Sequence, residues 1–195
     1  MSKHNLLILV SGGADSRVLV EWAVNLLNEE PYNPILLHFT WDYPSVIQEE
    51  TSFRNTHPEL LHISLELPMH FKQMPEDGAP GPRVVAARNQ IMLSHAINFA
   101  AAHDIPTIWY GATAADQADY HDCRPEFIQD MNELSAPWGI KIEAPAITLM
   151  KRAVWEQLRY FEVEAHEVWS CYTPKSRREL YVQCGTCDSC VSNNV

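Results

Sequence analysis

The apolar positions of this chain fall into short unbroken runs separated by longer segments with helical spacing. Leu6 to Val10 is one such run, ending at Ser11-Gly12-Gly13, and it has the pattern of a strand buried on both faces. Residues 17 to 28 then set Val18, Trp22, Val24, Leu26 and Leu27 on a broad apolar face before Pro31 and Pro34 end the segment, which predicts a helix. The alternation continues with a strand over 35–40, a helix over 45–55, a strand over 61–65, a long helix over 85–103 and a strand over 107–110. It finishes with a helix over 124–134, a short strand over 140–143 and a helix over 149–161. Strands that alternate with helices imply right-handed crossovers and a parallel sheet. The expected fold is therefore α/β and Rossmann-like, a five-stranded parallel sheet with helices on both faces. Ligands of such sheets sit beyond the carboxyl ends of the strands, so the loops 11–16, 40–43 and 111–124 are expected to converge on one pocket. The stretch 68–83 carries four prolines and two glycines and is expected to be an irregular loop beside that pocket.

Composition narrows the choice of class. With 195 residues and 46% of them hydrophobic, the chain is expected to form one domain over 1–195 with a real core. No apolar run approaches the roughly 18 to 20 residues that span a bilayer, and no secretory pattern opens the chain, so no membrane partner and a cytoplasmic location are expected. The formal net charge of -11 disfavours a polyanion, and direct nucleic-acid binding is not expected.

Ser11-Gly12-Gly13-Ala14-Asp15-Ser16 lies where the first strand turns into the first helix. Backbone amides at such a turn can point at an anion, and the helix N-terminus adds partial positive charge. The glycines allow close approach, Ser11 and Ser16 offer hydroxyls, and Asp15 could hold Mg2+ against phosphates. The plainer alternative is a tight turn in which Asp15 or Ser16 only caps the helix. The segment matches neither the G-x-x-x-x-G-K-[ST] nor the G-x-G-x-x-G pattern. It resembles instead the SGGxDS signature of PP-loop ATP pyrophosphatases, whose fold is that of the adenine nucleotide alpha hydrolases. That resemblance implies ATP, held by Val10, Ser11, Gly12, Gly13, Ala14, Asp15, Ser16 and Arg17.

Four of the five cysteines, Cys171, Cys184, Cys187 and Cys190, form C-x12-C-x2-C-x2-C near the C-terminus. Two-residue gaps let thiolates curl around one ion, and four soft ligands suit a closed tetrahedral Zn2+. A redox CxxC pair is the alternative, but it would leave two clustered cysteines unexplained. A filled four-cysteine shell keeps no position for water, so the zinc is expected to be structural, pinning segment 166–195. Cys123 stands apart, and the simplest expectation for it is a buried small residue.

Further stretches, in order along the chain, resemble the QueC family, the 7-cyano-7-deazaguanine (preQ0) synthases. Val85-Ala86-Ala87-Arg88-Asn89 is similar to the family's V-P-G-R-N, and Tyr120-His121-Asp122-Cys123-Arg124-Pro125-Glu126-Phe127-Ile128 to its Y-P-D-C-R-P-E-F-I. Pro145, Leu149 and Lys151 match its P-L-x-x-[ST]-K, and the cysteine cluster its zinc module. The resemblance implies ATP-dependent activation of 7-carboxy-7-deazaguanine, displacement by ammonia to an amide, and a second activation to the nitrile. By carry-over, Asp15, Ser16 and Lys151 would be catalytic and Arg88 would meet ATP. Asn89, Asp116, Asp122, Arg124 and Glu126 would meet the deazaguanine acid. Read as residues alone, these charges are better taken as solvated helix starts, with Arg124 paired to Glu126 or Asp122. A homodimer or a protein partner is compatible with the pattern.

The chain also departs from that family. Residues 38–43 read His-Phe-Thr-Trp-Asp-Tyr where a Y-G-Q-R-H type sequence is usual, Arg17 replaces a small hydroxyl residue, and Ala86-Ala87 replaces Pro-Gly. These changes keep a second reading open, a QueC-like ligase that passes the activated acid to another amine such as a protein N-terminus. A tRNA-modifying PP-loop enzyme would share the ATP loop but should carry a basic face. A zinc-stabilised module that only holds nucleotide is the non-enzymatic alternative.

Overall fold

The structure is a computed structural model that describes residues 4–25, 32–41, 44–69, 85–171, 173–177 and 180–192. The expected irregular loop beyond residue 69, the positions Asp42 and Tyr43, and the end of the first expected helix after Asn25 lie outside the described residues.

Five strands form one parallel sheet: β1 (His4–Leu9), β2 (Tyr32–Thr40), β3 (Leu61–Glu66), β4 (Thr107–Trp109) and β5 (Lys141–Glu143), in the order β3-β2-β1-β4-β5. β1 is central, with Leu7 opposite Ile35 on β2 and Ile108 on β4. Its unbroken apolar sequence has a direct cause, because successive side chains enter opposite cores. Leu7 and Leu9 join Leu37, Phe39, Leu93, Phe127 and Met131 on one face, while Leu6 and Ile8 join Val18, Leu19, Phe53, Trp155 and Leu158 on the other. Each fully buried Leu or Ile contributes about 1.5–3 kcal/mol relative to exposure.

The helices are α1 (Ala14–Asn25), α2 (Pro44–Asn55), α3 (Arg88–Ala102), α4 (Pro125–Ser135) and α5 (Lys151–Tyr160), with a short α6 (Asp188–Ser192) at the end. α3 and α4 cover one face of the sheet, and α1, α2 and α5 the other. Trp22 on α1 donates its indole N–H to Gln157 Oε1 on α5 at 3.1 Å, fixing the two helices side by side. The order β3-β2-β1-β4-β5 reverses direction at β1, and the crevice beyond β1 and β4 is where a ligand is expected.

The start of α3 differs from expectation because of the turn that precedes it. The segment expected to be helical from Val85 begins its helix at Arg88, because Ala87 adopts φ 54° and ψ 31°. A left-handed residue cannot continue a right-handed helix, so it sets the boundary. The gap between Cys171 and Cys184 holds an antiparallel hairpin, β6 (Lys175–Arg177) with β7 (Leu180–Val182), that the sequence pattern did not suggest. No helix among the described residues is long and apolar enough to cross a membrane.

Candidate active site and metal centre

The turn after β1 is held by its own serines. Ser16 Oγ accepts from the Ser11 amide at 3.1 Å and donates to the Gly13 carbonyl at 3.1 Å, while Ser11 Oγ accepts from the Gly13 amide at 3.4 Å. The Ser16 hydroxyl therefore ties the loop into shape. Gly12 sits at φ +79°, and a Cβ there would lie 2.6 Å from the Glu49 carbonyl oxygen. Gly111, after β4, presses on the same turn, since a Cβ on it would lie 3.0 Å from the Ser16 amide nitrogen. Gly111 thus lets the loops after β1 and β4 touch at the sheet's carboxyl edge, and Gly12 lets the β1 turn approach the backbone of α2.

A cavity of about 590 Å³ opens there. Val10, Ser11, Gly13, Ala14, Asp15 and Ser16 line one side, Arg88, Asn89, Asp116 and Asp122 another, and Lys151 closes it from the start of α5. Trp41 comes from the end of β2 and Tyr110 and Gly111 from the end of β4, so the three loops expected to converge do so through their described residues. Glu49, Asp119 and Asp130 add further carboxylates to the lining.

Asp15 and Lys151 are 136 positions apart and form an ion pair, Lys151 Nζ to Asp15 Oδ2. This pairing accounts for a lysine in the first turn of a helix, where the helix dipole opposes it. Burial pushes the Asp15 carboxyl above its ordinary range; Lys151 pulls it back and Asp116 adds to the rise. The other Asp15 oxygen, Oδ1, is buried without a partner. An orphaned carboxylate oxygen between two helix N-termini suits a hard divalent cation such as Mg2+.

Asp122 is placed by the start of α3: the Asn89 amide donates to its Oδ2 at 2.9 Å, and Asn89 Nδ2 donates to the Asp122 carbonyl at 3.3 Å. Asp116 Oδ2 accepts from the buried Thr113 hydroxyl at 2.7 Å. Cys123 is buried at the cavity wall, and burial, with Asp122 and Asp116 nearby, pushes its thiol up to about 12, so it stays protonated.

Four expected site residues do not line this cavity. Arg17 is two positions after Asp15, about 200° around the helix, and so faces the other way. It is buried and spends its guanidinium on Glu21 Oε1 at 2.6 Å, Thr56 Oγ1 at 3.1 Å and Glu167 Oε1 at 3.6 Å. Arg124 folds back on its own loop, donating to the Gln117 carbonyl at 2.8 Å and the Ala118 carbonyl at 3.4 Å. Glu126 lies exposed in the first turn of α4. Gly12 contributes its backbone geometry and not its surface.

The sequence reading also missed residues that do line the cavity. Tyr110 and Trp169 lie there and, like Trp41 of the expected 40–43 loop, each has an indole or phenol donor that is buried and unpartnered. Single aromatics carry no periodic or spacing signal, so only the folded chain shows them as site residues.

The four cysteine sulfurs of Cys171, Cys184, Cys187 and Cys190 lie within 4.8 Å of one another. Cys184 Sγ and Cys190 Sγ are 3.8 Å apart, and Zn–S bonds of about 2.3 Å in a tetrahedron imply a sulfur–sulfur edge of about 3.8 Å. Amides of Thr186 at 3.3 Å and Cys187 at 3.2 Å donate to Cys184 Sγ, and the Cys184 amide donates to Cys171 Sγ at 3.2 Å. Burial opposes ionisation of Cys184, but these amides and the Thr173 hydroxyl outweigh it and bring its thiol down to about 5. The donor set fits a bound metal ion.

Comparison with known proteins agrees with this arrangement. In the solved U34-tRNA thiolase NcsA from Methanococcus maripaludis, which carries a [4Fe-4S] cluster, the fold superposes with a TM-score of 0.58 at 14% identity. The match covers 87% of this chain and 60% of that one, and at that identity it speaks for the fold alone. The 7-cyano-7-deazaguanine synthase of Citrifermentans bemidjiense is 31% identical over 94% of this chain and 88% of its own length. The enzyme of the same name from Rhizorhabdus wittichii is 29% identical over 94% and 86%. The family model described as queuosine biosynthesis protein QueC matches residues 46–194, from the second helix through the last cysteine, and the chain therefore belongs to the QueC family.

Proposed function

We propose that this chain uses ATP to activate the carboxylate of 7-carboxy-7-deazaguanine and, with ammonia, converts it through the amide to 7-cyano-7-deazaguanine. Membership of the family makes it an ATP-dependent ligase-type enzyme. The observation that carries the finer reading is Asp15, with one oxygen on Lys151 and the other buried and unpaired beside the glycine turn.

A carboxylate oxygen does not leave at neutral pH, so it must first be converted into a leaving group. In the proposed sequence the substrate carboxylate attacks the α-phosphorus of ATP, and pyrophosphate departs toward the Ser11 to Ser16 turn. Amides of that turn and the N-terminus of α1 stabilise the charge that develops on the leaving oxygens. Lys151, paired with Asp15 at the edge of that turn, adds a cation for the phosphates. Mg2+, held by Asp15, would neutralise pyrophosphate charge. Ammonia then adds to the acyl carbon, AMP leaves with the former carboxylate oxygen, and one proton is lost to give the amide. A second activation puts the amide oxygen on phosphorus, and its loss as AMP with two protons from nitrogen leaves the nitrile.

The cysteine centre is proposed to hold structural Zn2+. One tetrahedral ion brings four thiolates close together, whereas a four-iron cluster spreads its ligands over separate corners. Cytoplasmic location and ammonia supplied free or by a partner complete the proposal.

The test is incubation of zinc-loaded protein with Mg-ATP and 7-carboxy-7-deazaguanine, with and without ammonium, following pyrophosphate release and product mass. Amide or nitrile that forms only with ammonium is the expected result. Acid-dependent adenylate without ammonium use would redirect the reading to another amine acceptor, and ATP turnover indifferent to the acid would sink the substrate assignment.

A further inference from the structure

Among the described residues, six buried side-chain nitrogen or oxygen atoms lack a partner, and four of them belong to residues of the cavity: Asp15 Oδ1, Trp41 Nε1, Tyr110 OH and Trp169 Nε1. Buried tyrosine hydroxyls ordinarily find an acceptor. Tyr110 is the most enclosed of the four residues, 3% exposed, with its ring packed in the core that contains Ala112, Cys123 and Phe127. Its backbone is pinned as well, by donation from its amide to the Glu143 carbonyl at 3.1 Å. A phenol held this firmly with its hydroxyl unsatisfied is placed for an acceptor that arrives from outside the chain.

We infer that Tyr110 is a specificity-determining residue that, together with Asp122, reads the lactam edge of the deazaguanine ring. The hydroxyl donates to the ring carbonyl oxygen, and the Asp122 carboxylate accepts from the adjacent ring N–H and the exocyclic amine. The inference rests on the proposed substrate and deepens it. Asp122 is oriented for this role, because Asn89 holds its Oδ2 at 2.9 Å while Oδ1 makes no hydrogen bond among the described residues. Burial, with Cys123 and Asp122 adding to it, holds the Tyr110 phenol well above its ordinary value, so it remains a donor at any working pH. A ring with an amino group in place of the carbonyl would set donor against donor and ring nitrogen against carboxylate, leaving both protein groups unpaired.

The experiment compares the zinc-loaded wild type with Tyr110→Phe, measuring the KM and dissociation constant for 7-carboxy-7-deazaguanine, those for 7-carboxy-7-deazaadenine, and the melting temperature. Tyr110→Phe should lower the preference for the deazaguanine acid by about 10- to 100-fold, the weight of one buried hydrogen bond to a ligand. The KM for ATP should stay unchanged. Melting temperature should hold or rise, because the deleted hydroxyl has no partner in the free protein. An unchanged preference, an equal loss for both acids, or a fall in kcat alone overturns the inference. If Tyr110→Phe does not fold, Asp122→Asn serves instead, and undiminished discrimination in that variant overturns it equally. A wild type that neither binds nor turns over the deazaguanine acid fails the proposed substrate itself. A wild type that uses it while Tyr110→Phe discriminates as well leaves the substrate standing and removes only the role of Tyr110.

Discussion

The backbone amide of Trp169 donates to the carbonyl of Gly12 at 2.8 Å, which ties the glycine turn to a residue two positions before the first cysteine of the metal centre. Ser52 joins the same knot, its hydroxyl lying 3.1 Å from the Gly12 carbonyl and 2.7 Å from that of Glu167. Trp169 and Ser170 line the cavity, and so does Ser189, between Cys187 and Cys190. The metal centre is thus structurally continuous with the proposed ATP site.

Stripping the metal should therefore weaken nucleotide binding as well as stability. Chelator treatment is expected to raise the dissociation constant for ATP by about tenfold, a coupling of about 1.4 kcal/mol, with recovery on return of zinc. Calorimetric titration of metal-free, metal-restored and untreated protein checks this. Equal affinities in folded metal-free and metal-loaded protein would break the proposed link.

Ala87 occupies a left-handed conformation at φ 54°, immediately before α3. An L side chain there costs about 1–2 kcal/mol that glycine avoids, offset in part by glycine's greater freedom in the unfolded chain. Ala87→Gly should stabilise the protein by about 0.5–1 kcal/mol in a denaturant titration. A loss of stability would mean that this conformation is not the one populated in solution.

Asp15 carries a carboxyl raised by burial from 3.8, so the folded state holds its proton more tightly than the unfolded state does. Its ionised form accordingly costs stability as pH rises above 3.8 through the raised value, while ATP chemistry needs that form. Asp15→Asn should lower pyrophosphate release by at least about 100-fold, as loss of a preorganised charge at a reacting centre does. Its melting temperature relative to wild type should improve on going from pH 4 to pH 7. A relative stability that worsens over that range contradicts the assignment.

Behind the turn, His57 Nε2 lies 3.1 Å from Glu21 Oε1, the same oxygen that pairs with Arg17. The hydrogen bond to Glu21 is the main reason that His57 is raised from 6.5, and burial works against it. Glu21 is lowered from 4.5, with the His57 and Arg17 hydrogen bonds outweighing its burial. The pair therefore contributes below pH 6.5, fades as pH climbs through the raised His57 value, and is lost in acid when Glu21 takes up its proton. His57→Gln should cost about 1 kcal/mol near pH 6 and much less at pH 9, by thermal unfolding across pH. A pH-independent difference would show that charge is not what His57 supplies.

Where side chains act through local pattern, the sequence is a sufficient guide. The apolar runs Leu6 to Val10 and 35–40 become the central strands because both of their faces are buried, and that leaves no polar alternation to misread. The Ser-Gly-Gly turn and the two-residue cysteine spacings are legible for a similar reason, since each is a constraint among near neighbours in the chain. Direction in space is a different matter. Arg17 and Asp15 share one helical turn, yet one enters a buried ion-pair network and the other the cavity. Arg124 and Glu126 stand in the most distinctive stretch of sequence, yet Arg124 turns back to the carbonyls of its own loop and Glu126 lies exposed in the first turn of α4. The Asp15 to Lys151 pair, the Trp169 to Gly12 bond and the unpartnered Tyr110 hydroxyl join residues that no local rule relates. The sequence by itself determined the sheet, the serine-glycine turn and the four-cysteine cluster, because those follow from backbone period and neighbour chemistry. Only the tertiary structure decided which charges face the ligand, because that depends on how helices pack across a sheet and bring distant positions to a single edge.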